Sequence, residues 1–287
     1  MKRNLFFLPL TLAFVGLTSC GGDNAKTITV CASELPHAKI LNEAIAPVLK
    51  EKGYDLKVTV LDWTQQNAAV ARGEYDANYF QHKPYLDTYN ADAGEEGKLT
   101  MVVKAHFEKL CLYASDVSKK TLANGDKIEI VNDVSNIERA LLLLKDNGVL
   151  QGISASCYDK DGNFTNFNVN SPNSQVTFAE AYSACSLTCI QESNLATSLG
   201  DYDFGVLPGN TALQGLGADY ASRIVFGEKV TPEVLSLRAN GVAVKPGNVT
   251  SEKTKAIVEA FATSSVSQYI QTTFGESVVY HYESLLR

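Results

Sequence analysis

The chain has 287 residues, 45% of them hydrophobic and 20% charged, with a formal net charge of −7. This is ordinary globular composition, enough for one large domain or two of moderate size. No basic stripe, low-complexity tract or repeat is present, which argues against nucleic acid as a partner.

The N-terminus reads as an export signal. Met1-Lys2-Arg3 is basic, and residues 4 to 18 are almost wholly apolar, a run too short to span a bilayer. The run ends in Leu17-Thr18-Ser19-Cys20, which resembles the bacterial lipobox. Residues 1–19 are therefore expected to be a signal peptide, Cys20 the lipidated N-terminus, and residues 20–26 a flexible tether. The body would be soluble and held to the extracytoplasmic face of a membrane in the cell envelope.

The body opens with a β-rich segment, Lys26 to Ala32, then a helix from Ala38 to Lys52 with apolar residues at helical spacing, ended by Gly53. A second strand, Leu56 to Leu61, a helix from Gln65 to Arg72 and a strand ending at Phe80 follow. A β-α-β-α-β run predicts a parallel sheet covered by helices. In such sheets ligands sit at the carboxyl ends of the strands. The loops Ser33 to His37, Asp62 to Thr64 and Phe80 to Tyr85 then open on one side. The last belongs to Gly73 to Leu86, which gathers four aromatics, a histidine and two amides, the make-up of a small-molecule pocket.

Strands are expected over residues 99–105 and 109–115, and again at Lys127 to Val131. Ser135 and Glu138 fit a capping box for a helix from Asn136 to Asp146, placing Arg139 near the end of its first turn. A helix N-terminus favours anions, and a guanidinium there can fork onto a carboxylate. Further on, the pattern predicts a strand over residues 173–178, a polar helix over 179–200 and a buried strand at Tyr202 to Leu207. A helix over 211–216, a strand over 236–244 and helices near 252–261 and 266–273 complete the chain. Two lobes follow: residues 27–115 plus 236–287, and residues 116–235. The hinge crossings are expected near 115–125 and 225–240, around a cleft that closes on ligand.

With Cys20 assigned to lipid, five cysteines remain: Cys31, Cys111, Cys157, Cys185 and Cys189. Their connectivity is not set by sequence; a link from Cys157 to Cys185 or Cys189 is one option. Cys185 and Cys189 would share a helix face as small buried residues.

Three blocks then carry a resemblance: Pro36-His37-Ala38, the whole of Gly73 to Leu86, and Asn132 to Leu141. They resemble the methionine-binding lipoproteins of bacterial ABC importers, the MetQ/NlpA lipoprotein family. The resemblance implies an α/β, type II periplasmic-binding-protein fold. It also implies capture of methionine or a related small amino acid and delivery to an ABC permease with its ATPase subunit, without a cofactor. On the family's motif positions the ligand-binding residues are Trp63, Phe80, His82, Tyr85, Arg139 and Asn240. Arg139 is implied to take the α-carboxylate, and the aromatics to wrap the thioether side chain. Two positions depart. Pro208 replaces the family's amine-binding asparagine, with Asn210 two residues on as a candidate substitute. Leu237-Arg238-Ala239-Asn240 replaces the family's Pro-Tyr-x-Asn. A different amino acid or a methionine-containing dipeptide is the alternative ligand.

Other classes find less support. His37, His106 and His281, like His82, show no metal-ligand spacing, and no G-x-S-x-G elbow is present. An enzyme or a metal-import protein is therefore the weaker expectation.

Overall fold

A computed structural model of the chain describes residues 25–217 and 219–286. The expected signal peptide, Cys20 and the expected tether through residue 24 lie outside the described residues.

In chain order, β1 (Thr27–Ala32) leads through helical turns Glu34–Ala38 and Leu41–Ile45 into α1 (Ala46–Glu51), followed by β2 (Asp55–Val60) and α2 (Trp63–Ala71). Next come β3 (Ala77–His82), α3 (Lys83–Asp92), β4 (Thr100–Glu108), β5 (Cys111–Ala114), β6 (Lys127–Val131) and α4 (Val134–Asp146). The middle of the chain supplies β7 (Leu150–Ile153), β8 (Val176–Phe178), β9 (Ser186–Ile190), α5 (Glu192–Ser198), β10 (Phe204–Leu207) and α6 (Gly209–Gly215). Last are β11 (Ile224–Gly227), α7 (Pro232–Arg238), β12 (Asn240–Val244), α8 (Glu252–Phe261), α9 (Ser264–Phe274) and β13 (Val278–Ser284).

The strands form two main sheets, ordered β13-β4-β12-β3-β1-β2 and β11-β5-β10-β6-β9, plus the small β7-β8 pair. In the first, β1 pairs in parallel with both β2 and β3, as the β-α-β reading requires. The returning β12 inserts antiparallel between β3 and β4. Each sheet has its own apolar core. Ile28, Val30, Tyr79, Val102 and Phe261 anchor the first. Leu112, Ile128, Ile130, Leu141 and Phe204 anchor the second. Two α/β lobes with the chain passing between them make the type II periplasmic-binding-protein architecture expected from the sequence.

Several elements differ from the sequence expectation. Residues 186–190 are not helical; β9 pairs in parallel with β6 from Ser186↔Lys127 to Ile190↔Val131. The sheet there outweighs a helical reading of a polar stretch, and only Glu192–Ser198 stays α-helical. Cys189 is thus on a strand, and all five described cysteines are free, so no Cys157 bridge forms. The strand expected over residues 236–244 is found as β12 over Asn240–Val244, while residues 236–238 instead close a helix that begins at Pro232. Thr231 caps it by accepting from the Val234 N–H, and Pro232 occupies its first turn. The cap of α4 is Asp133, whose carboxylate accepts from the Asn136 N–H at 3.0 Å; Ser135 is already inside the helix. Arg139 therefore sits in the second turn, where the dipole has faded. Finally, β5 belongs to the second sheet, so the chain first crosses between Glu108 and Cys111, upstream of the expected 115–125.

Candidate functional site

The carboxyl ends of β1, β3, β4 and β10 and the N-terminal end of α4 converge on one cleft of about 520 Å³, part of it open to solvent. Trp63, Phe80, His82, Tyr85, Arg139, Asn210 and Asn240 all line it. So do Ser33, Glu108, Asn136, Glu192, Pro208 and Arg238.

One wall is aromatic. Tyr85, in the first turn of α3, stands edge-on to Trp63 at 5.5 Å and to Phe80 at 5.6 Å between ring centroids. The geometry follows from a short stretch of sequence. Phe80 is on the buried strand β3, and Pro84 opens α3 directly after it. Trp63 is the first residue of α2, whose cap Asp62 accepts from the Thr64 N–H at 2.9 Å.

His82 joins the two walls. Its Nδ1 accepts from the Tyr85 N–H at 3.1 Å and so caps α3. The hydrogen then lies on Nε2, which donates across the cleft to Asn136 Oδ1, also at 3.1 Å. Burial holds the imidazole neutral, with its pKa lowered to about 3, and the Arg139 and Arg238 charges push the same way.

The opposite wall is charged. Arg139 is only 6% exposed. Its Nε and Nη2 each donate to Glu228 at 2.5 Å, and Nη2 also reaches the Glu108 carbonyl at 2.6 Å. The Phe107 ring lies 5.3 Å from its guanidinium carbon. The forked edge expected to face a ligand carboxylate is thus held by an acid from the end of β11, because the buried cation needs a counter-charge. Glu108, the last residue of β4, sits at the crossing between lobes. Its Oε1 accepts from His106 Nε2 at 2.8 Å and lies 3.3 Å from His37 Nε2, while Oε2 accepts from the Asn210 N–H at 3.2 Å. Burial raises its pKa, against the pull of His37. Glu192, bonded by the Thr211 hydroxyl at 3.0 Å, is raised to about 7 by burial and then by Asp133.

His37, His106 and Glu108 place donor atoms within 4.8 Å of one another, a spacing able to hold a metal ion. Those donors are engaged within the protein: the Tyr79 hydroxyl bonds His106 Nδ1, and Asn240 Nδ2 lies 3.3 Å from His37 Nε2. The histidines are far apart in sequence, yet His37 and His106 are neighbours in space, with ring centroids 4.9 Å apart. His281 stays apart, on β13 beside Glu283. Sequence reasoning missed Glu108, Glu192 and Arg238. One signal was available for Glu108: on a strand, His106 and Glu108 two apart share a face.

The arrangement suits capture of a small zwitterion: an aromatic wall for an apolar side chain, and cations and carboxyl groups for its charged end.

The model of the NlpA lipoprotein family matches residues 28–281. A methionine-binding lipoprotein, MetQ, of Bacillus subtilis (strain 168) is 32% identical over 292 aligned positions, spanning 96% of this chain and 98% of the relative. Among solved structures, a putative lipoprotein from Ruminococcus gnavus superposes with a TM-score of 0.76 at 35% identity, covering 89% of this chain and 99% of that one. A nutrient-binding protein from Burkholderia cenocepacia bound to methionine gives a TM-score of 0.75 at 28% identity, covering 88% of this chain and 99% of the other.

Proposed function

Because the chain belongs to the NlpA lipoprotein family, we propose that it is the substrate-binding lipoprotein of an ABC importer, capturing methionine or a closely related small amino acid. The observation that carries this reading is the two-faced cleft. Trp63, Phe80 and Tyr85 stand on one side, Arg139, Asn210 and Asn240 on the other, with His82 between them. The thioether packs against the rings, where sulfur–aromatic contacts add about 0.3–1.5 kcal/mol each. Glu108 and Glu192 supply acceptors for the ammonium group, a role Pro208 cannot fill because it has neither N–H nor polar side chain.

Delivery to a permease and its ATPase subunit, and anchoring through acyl chains on Cys20 at the extracytoplasmic face of a membrane, complete the proposal. Binding is stoichiometric, without turnover. One observation favours a second reading. Arg238, Glu108 and Glu192 make the cleft more charged than a thioether side chain needs, and a different amino acid or a methionine-containing dipeptide would use those groups.

Mass spectrometry of ligand released from the purified full-length protein tests the proposal. Methionine or another small amino acid at about one equivalent is the expected result. A stoichiometric metal ion with no organic ligand would overturn it.

A further inference from the structure

Behind the charged wall, two histidines and a carboxylate point at one place. His37 comes from the helical turn Glu34–Ala38, and His106 and Glu108 share a face of β4. Both imidazoles are fully enclosed, and Glu108 is 5% exposed. His37 Nε2 lies 3.3 Å from Glu108 Oε1, and His106 Nε2 lies 2.8 Å from the same oxygen. An ion with metal–ligand bonds of about 2.0–2.2 Å holds tetrahedral donors about 3.3–3.6 Å apart. The two separations at Glu108 are at or just inside that range, so small side-chain shifts admit an ion.

The donor chemistry agrees. Two imidazoles and a carboxylate are a zinc-type set, whereas magnesium and calcium call for oxygen alone. Burial holds both imidazoles neutral, the form that ligates, with pKa values lowered to about 3. His106 Nδ1 is bonded to the Tyr79 hydroxyl, the kind of outer partner that orients a metal-bound imidazole. That hydroxyl accepts as well as donates, so the ring proton can move to Nδ1 when an ion takes Nε2. The present contacts of both rings with Glu108 are the ones an ion replaces. Glu108 and Asn240 line the cleft, which gives the ion a route in. The Asn240 amide lies 3.3 Å from His37 Nε2, the tetrahedral spacing again, so its oxygen, with the amide turned over, can fill a fourth position.

We propose that His37, His106 and Glu108 form a site for one divalent transition-metal ion of the zinc class, enclosed at the floor of the cleft. The site goes beyond amino-acid capture and does not depend on it. Glu108 ends β4 where the chain crosses between lobes, so a bound ion ties the turn that carries His37 to that crossing.

The test titrates zinc chloride by calorimetry into chelator-stripped full-length protein, as wild type, as the double variant His37→Gln/His106→Gln, and as His281→Gln. Wild type and His281→Gln are expected to take up about one equivalent with saturation. The double variant should bind it at least about 100-fold more weakly, since even outer-shell partners of a metal cost 10–100-fold when lost. Absence of a saturating equivalent in wild type, or equal uptake by the double variant, would overturn the site. Loss of uptake in His281→Gln would place the ion at the pair of His281 and Glu283 on β13 and overturn it too. Should the double variant fail to fold, wild type loaded with cobalt decides. The intense visible absorption of a tetrahedral cobalt ion is expected, and the pale spectrum of an octahedral one would refute the assignment. Methionine titrated into the same stripped protein checks the amino-acid reading separately, so either reading can fail alone.

Discussion

Glu129 offers a sharp test of how burial and charge are balanced in the lobe that carries α4. It lies in the middle of β6, fully buried, with Oε2 accepting from the Ser198 hydroxyl at 2.5 Å and Oε1 without a partner. It fits because Gly205 on the neighbouring strand has no side chain; a Cβ there would lie 2.9 Å from Oε1. Burial raises its pKa to about 7, the Ser198 bond pulling the other way. An ordinary glutamate titrates near 4.5, so the gap converts to at most about 3.5 kcal/mol. The sign follows from the direction. A group with a raised folded pKa contributes stability that is fully present below its unfolded pKa and lost as pH rises through the folded value. Wild type should thus lose up to about 3.5 kcal/mol from this group between about pH 4 and pH 8, and Glu129→Gln, nearly isosteric and neutral, should not. Any fixed cost of the unpartnered amide cancels in the slope. Urea unfolding of both proteins across this range measures it. Parallel stability curves, within about 0.5 kcal/mol, would refute the reasoning.

Three further outcomes follow from the same physics. Gly241→Ala puts a Cβ 2.2 Å from the Val103 carbonyl oxygen, where β12 packs on β4; rigid backbone cannot yield cheaply, so chemical denaturation should show a loss of at least about 1–3 kcal/mol. His37, His82 and His106 are each held near pKa 3, burial first. Their depressed values contribute stability present above about pH 6.5 and lost as pH falls toward 3; in an acid titration followed by circular dichroism, His82→Gln should flatten that fall. Phe80→Ala removes a ring from the aromatic wall, and calorimetry should show methionine affinity lowered by about 2–4 kcal/mol with the fold intact.

The fold was legible where local pattern and tertiary context agree. The β-α-β-α-β order from residue 27 to 82 carried the first sheet, and Gly53 and Gly73, with φ of 81° and 80°, ended their helices as read. It was not legible where pairing decides. Residues 186–190 become a strand only because β6 lies alongside, and β5 looks like the end of the first lobe until its partners β10 and β11 are known. The cleft was legible as far as single loops reach: Phe80, His82 and Tyr85 lie within six residues. The ion pair of Arg139 with Glu228, 89 residues away, left no local trace. Neither did the meeting of His37, His106 and Glu108, which needs β1, β3 and β4 to be assembled first.

The central claim is that the cleft holds one small amino acid between its aromatic and charged walls. Titration calorimetry of ligand-free protein with L-methionine, D-methionine and Gly-Met tests it most directly. The account predicts saturable heat at one equivalent for at least one of these ligands, weakened by Phe80→Ala. Absence of binding by all three and by every other amino acid, from a protein that unfolds cooperatively, would contradict it.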